Sequence, residues 1–146
     1  MPDAATYIEK MKFLSTNRNY TLTVGSFTSN RDTQYNHSYV VDGYASSLSN
    51  KFIDEIALDG KYKKMKAVIA PTLEMTKVKQ FSNYATIRIW ADDVEVYNKT
   101  INSNGEPESF EIDLTGVMKL KISGEIKQFN STGKISFGIG DIKFIE

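Results

Sequence analysis

The chain has 146 residues, no cysteine, and 18 basic against 18 acidic side chains. That length favours one domain whose core needs no disulfide staple, and the missing thiols exclude thiolate metal sites and cysteine nucleophiles. Zero net charge argues against a nucleic-acid partner, which calls for a basic excess, and no apolar run approaches the ~20 residues of a membrane-spanning helix.

Taken in order, residues 1–5 read as a disordered or artificially added leader, with no secretion signal of charged then apolar residues. Residues 6–14 fit either a helical stripe of Tyr7, Met11 and Leu14 or a strand with Tyr7, Glu9, Met11 and Phe13 on one face; the polar run 15–19 ends the segment after nine residues, short for a helix, and favours the strand. Tyr20, Leu22 and Val24 alternate with threonines and predict a second strand. Ser26 to His37 is polar and reads as a surface loop. Tyr39–Val41 predicts a short strand closed by Asp42-Gly43, and Tyr44–Asn50 a loop. Two strands, 52–58 and 62–69, flank the turn pair Asp59-Gly60, and Pro71 ends the second. Residues 72–83 are irregular, with Leu73, Met75, Val78 and Phe81 expected to tuck inward.

Residues 84–122 carry the clearest pattern. Ala85, Ile87 and Ile89 share one face of a strand, and Thr86, Arg88 and Trp90 share the other. Asp92-Asp93 makes a tight turn into a second run, 94–97, and residues 102–107 form a polar loop. Two further strands follow, through Phe110 and Ile112 and through Leu120 and Ile122, separated by Thr115-Gly116. Gln128–Gly133 reads as another turn. Apolar residues then occupy odd positions, Ile135, Phe137 and Ile139, and change to even ones at Ile142 and Phe144, which predicts a bulge at 138–141. About ten short strands at this spacing predict a single all-β domain over 1–146, a jelly-roll-like antiparallel sandwich.

Several of these stretches resemble the NPCBM family of carbohydrate-binding modules. Tyr7–Ser15 looks like the family's first strand, and Leu58-Asp59-Gly60-Lys61-Tyr62 is similar to its Leu-x-Gly-Lys-Tyr step. Thr86–Asp93 resembles its central hairpin, Phe110–Leu120 its Val-x-Val-Asp-Val-x-Gly run, and Gly140–Phe144 fits its close loosely. The resemblance implies a galactose-binding-like sandwich from a secreted or surface bacterial protein. Two departures are plain. The family's Gly-x-Gly-x-His-Ala stretch is here Gly43–Asn50, without a histidine, and its Asp-Gly turn is Asp92-Asp93.

Nothing in the chain assembles a catalytic constellation. His37 is the only histidine, and the adjacent carboxylates Asp54-Glu55 point to opposite faces of a strand; we expect no enzyme. Asp92, Asp93, Glu95, Asp113 and Asp141 are hard oxygen donors, but no calcium-loop motif joins them. No cofactor is expected, a structural calcium being the one candidate. For glycan binding the candidates are Trp90 with Arg88, and Tyr35 with His37. An aromatic face stacks on the C–H face of a pyranose while polar neighbours bond its hydroxyls. The competing reading packs Trp90 on another sheet or under residues 72–83. The lysines 61, 63, 64 and 66 suit either an anionic cell-wall polymer or a wet strand edge. The expected partner is a glycan or cell-wall polysaccharide, outside the cell or at its surface, with no membrane insertion. The alternative is a structural or protein-interaction module of the bacterial envelope that meets another protein or domain.

Overall fold

Alternating sequences need two sheets to bury their apolar edges, and the chain supplies them. A computed structural model describes residues 5–18, 21–44, 50–77, 84–102, 105–127 and 134–146. Within these the strands are β1 (Ala5–Tyr7), β2 (Lys12–Arg18), β3 (Thr21–Thr28), β4 (Gln34–Tyr44), β5 (Asn50–Ala57) and β6 (Lys64–Pro71). They continue with β7 (Tyr84–Ala91), β8 (Val94–Asn102), β9 (Glu108–Asp113), β10 (Lys119–Lys127) and β11 (Lys134–Ile145). Short 3-10 helices cover Ile8–Lys10 and Leu73–Lys77. One sheet runs β3-β4-β11-β6-β9, with β1 added to β11; the other runs β2-β5-β10-β7-β8. All the pairings are antiparallel, giving the expected jelly-roll-like sandwich.

The core lies between the sheets. Tyr39, Phe137, Phe144 and Ile69 enter it from one side, and Phe52, Ile56, Ile87, Ile89 and Ile122 from the other. Asp54 is fully buried among them and accepts a 2.8 Å hydrogen bond from Tyr39 Oη, while its neighbour Glu55 faces outward. The Asp92-Asp93 turn forms as expected, both residues being left-handed (φ 46° and 67°), the geometry of a two-residue hairpin turn. The bulge in β11 is also present: its register against β6 shifts between Gly140 and Lys143, with Asp141 at φ 50°.

Several expectations are corrected. The first run is not one strand, because a 3-10 turn at Ile8–Lys10 divides it and drives Ile8 into the core. Strand β2 then continues through the polar residues to Arg18, since pairing with β5 satisfies its backbone whatever its side chains are. Ala5 is not part of a disordered leader but pairs with Ile145. The Asp59-Gly60 turn exists (φ 54° and 72°), and there the chain changes sheet, β5 belonging to one and β6 to the other. Strand β9 likewise leaves the sheet of β7, β8 and β10. Pro71 does end β6 as expected, standing as its last residue opposite Phe137. Met75 is buried, but Leu73 is 41% exposed. Residues Val78 and Phe81, the Gln128–Gly133 turn and most of the Tyr44–Asn50 loop lie outside the described residues.

The largest correction concerns 26–37. It is no open surface loop but the end of a long β3–β4 hairpin, and Asp42-Gly43 sits within β4 rather than closing it. The hairpin end folds as a strap over the outer face of its own sheet. Ser29 bridges Thr72, and Asn30 N–H donates to the Pro71 carbonyl at 3.0 Å. Asn30 Nδ2 donates to the Gly105 carbonyl at 2.8 Å, and Arg31 Nε to Glu106 at 2.7 Å. Glycines make room for the strap. A Cβ on Gly138 would lie 2.2 Å from the Phe27 ring, and one on Gly140 2.5 Å from Tyr35 Cβ.

Candidate functional site

Alternation sets Trp90 opposite the buried Ile89 and Ala91, so its ring stands on the outer face of the five-stranded sheet. It does not pack between sheets. Arg88 Cζ lies 5.4 Å from the ring centroid and Lys121 Nζ 5.2 Å, distances at which a cation is drawn to the ring's negative face. Arg88 is held by Glu95, its Nε donating at 2.9 Å, while Asn98 Nδ2 donates to the same carboxylate oxygen at 3.1 Å. The hydrogen bond from Arg88, more than any other influence, keeps the Glu95 carboxyl below its ordinary range, and in return Glu95 raises Arg88. The result is a half-buried indole on a flat face, edged by two cations and an ordered amide.

Tyr35 and His37 stand on the other sheet, so the structure divides the four sequence candidates into two pairs on opposite sides of the sandwich. Tyr35 is committed to packing. Its ring lies 5.4 Å from that of Phe27 and covers Gly140, and burial, with a smaller effect of Asp141, raises its hydroxyl pKa. His37 adopts a left-handed backbone (φ 51°), stacks on Tyr7 with centroids 3.7 Å apart, and bonds Glu9 through Nδ1. Glu9, Gly25, Ser26, Asn36 and His37 line an open depression of about 340 Å³. A carboxylate, an imidazole, an amide and a hydroxyl converge there beside the exposed Tyr7 ring, donors and acceptors of the kind that fix polar ligands.

Sequence reasoning missed Lys121, Glu95 and Glu9 as neighbours of these residues. Lys121 meets Trp90 only through the β7–β10 register, and Glu9 meets His37 because the 3-10 turn re-aims it; no local pattern encodes either. The carboxylates weighed as metal ligands have protein partners. Asp92 accepts from the Met118 and Lys119 amides, Asp113 from Thr115, and Asp141 from the Asn36 amide. Among the described residues no three acidic or histidine side chains gather to hold a metal ion.

Two antiparallel sheets in this arrangement are also found in solved structures of carbohydrate-binding modules. Three solved structures carry the likeness. CBM51 from Clostridium perfringens GH95, in complex with methyl-galactose, superposes with a TM-score of 0.70 at 12% identity, over 97% of this chain and 99% of that one. CBM51-2 of Clostridium perfringens ZmpB, solved in complex with GlcNAc and with INT domains, gives 0.74 at 8% identity, over 99% of this chain and 32% of that one. TmCBM61 in complex with β-1,4-galactotriose gives 0.50 at 14% identity, over 96% and 94%. At these identities the likeness is one of fold. No protein-family model and no curated protein matches the sequence.

Proposed function

We propose that this chain is a non-catalytic carbohydrate-binding module of the NPCBM type, part of a secreted or surface protein of a bacterium, which holds its bearer against glycan. The observation that carries this reading is Trp90. The only tryptophan of the chain is spent on an outer sheet face beside Arg88 and Lys121 rather than in the core, where it would contribute most to stability. The fold likeness to modules solved with bound sugars supports it. The residues proposed to touch glycan are Trp90, by stacking, and Arg88, by donating to ring hydroxyls. The depression at His37 is the proposed second contact region, together with Tyr35 on the same strand. No residue is assigned to bond cleavage, and no cofactor is invoked.

A second reading, a protein-interaction module of the envelope, has its own observation. Val94 and Val96 are 63% and 41% exposed on β8, an edge strand whose outer backbone side pairs with no other strand among the described residues. One experiment separates the two: the purified protein is applied to an array of glycans and bacterial cell-wall polysaccharides beside Trp90→Ala. Selective binding weakened ~10-fold or more in the variant is expected for a stacking site. A folded protein that binds no glycan would give the field to the edge-strand reading.

A further inference from the structure

The sheet that carries the strap also holds a groove of about 410 Å³, lined by Lys66 and Val68 on β6, Ser109 and Glu111 on β9, and Asp141 and Lys143 on β11. Ser109 and Val68 are paired along it, and the row beside them runs Glu111–Lys66–Lys143, each residue directly opposite the next across the ladder. Lys66 and Lys143 are therefore like charges face to face, an arrangement that destabilises a sheet. Glu111 relieves only part of it: its carboxylate lies 3.6 Å from Lys66 Nζ and 3.2 Å from Lys64 Nζ, shared between them. Asp141 is turned to the Asn36 amide, and among the described residues Lys143 makes no ion pair. A local cost with no structural return marks a site that a ligand completes.

We infer that this groove binds the carboxylate of an acidic sugar residue, a uronic acid within a glycan chain, between the Lys66 and Lys143 ammonium groups. Ser109 Oγ and the Glu111 carboxylate meet the hydroxyls of the same ring, and Val68 underlies its C–H face. The inference rests on the carbohydrate-binding reading but is separate from the Trp90 face, which belongs to the other sheet. The probes are an oligogalacturonate trisaccharide and its uncharged counterpart, β-1,4-galactotriose, titrated into ¹⁵N-labelled protein. The galacturonate should shift the amides of 66–68, 109–111 and 141–143, bind more weakly as salt rises, and lose about tenfold in affinity in Lys143→Gln. Because Lys143 is a surface side chain, an unchanged thermal midpoint confirms that variant as folded. Galactotriose shifting the same amides equally would overturn the acidic specificity, and inorganic phosphate competing as well as the trisaccharide would reduce the groove to a generic anion site. Shifts confined to the neighbourhood of Trp90 or His37 would sink the groove and leave the carbohydrate reading standing. No shift with either sugar would count against both.

Discussion

Single side chains in this protein carry costs that can be measured. Tyr97 stacks on Phe110 with centroids 4.1 Å apart, yet its hydroxyl is buried with no hydrogen-bond partner among the described residues. Removing that hydroxyl should stabilise the fold, and we expect Tyr97→Phe to gain about 1 kcal/mol in urea unfolding. Burial first, and Glu108 second, push the Tyr97 hydroxyl from 10.0 up to about 12. A raised folded-state pKa means stability that is whole below pH 10 and drains as pH climbs towards 12; thermal midpoints across that window should fall less steeply in the Phe variant. At the acid end the sign is reversed. Glu111 is held below its ordinary 4.5, first by the Lys64 hydrogen bond, then by the charges of Lys64 and Lys66. Its contribution is full above that value and is lost as pH drops through the lowered one. Glu111→Gln should therefore flatten the acid limb of the thermal-midpoint profile, and an unchanged limb would show that exposed pair to be idle.

At the scale of the element, the strap is the feature with most at stake. It can lie on β11 only because positions 138 and 140 have no side chain. The two glycines are not equivalent. A Cβ on Gly138 meets ring atoms at the end of the Phe27 side chain, whereas one on Gly140 meets Tyr35 at Cβ and Cγ, atoms tied to the backbone of β4. Gly140→Ala should thus cost about 2 kcal/mol and Gly138→Ala less, as read by chemical denaturation. Equal effects would mean that the strap moves as a unit. The same element explains why the polar stretch 26–37 reads as a loop. Its apolar anchors, Phe27 and Tyr35, face the outside of the sheet, and the surface they bury on is backbone and glycine, which leaves no periodic mark. The turn at Asp92-Asp93 is the opposite case, legible because a two-residue hairpin demands positive φ at both places and Asp is among the residues that tolerate it.

For the molecule as a whole, the consequence of two sheets is that the proposed contacts cannot act together. Trp90 and Arg88 belong to one outer surface, His37 and Tyr35 to the other, so one small glycan meets one pair only. Across a glycan array, no single small ligand should be weakened by both Trp90→Ala and His37→Ala. A ligand lost in both variants would require a conformation other than this sandwich. The same separation gives the two outer surfaces different chemistry: an indole beside two cations on one, and a polar depression beside a stacked Tyr7–His37 pair on the other.

The sequence by itself determined the all-β class, the inward-facing residues of β7 and β10, the Asp59-Gly60 and Asp92-Asp93 turns and the slip in the last strand. These follow from side-chain periodicity and backbone dihedral preferences, both local properties of a few neighbouring residues. It also put Arg88 and Trp90 on one face, since residues two apart in a strand share a side. Only the tertiary structure decided which sheet each strand joins, that the chain changes sheet at Asp59-Gly60, and that β9 parts from its sequence neighbours. It alone set Lys121 beside Trp90, Glu9 beside His37, and Lys143 opposite Lys66. Alternation specifies a face but not a partner. Partners are chosen by backbone pairing between segments far apart in the chain, where the free energy comes from burying both faces at once.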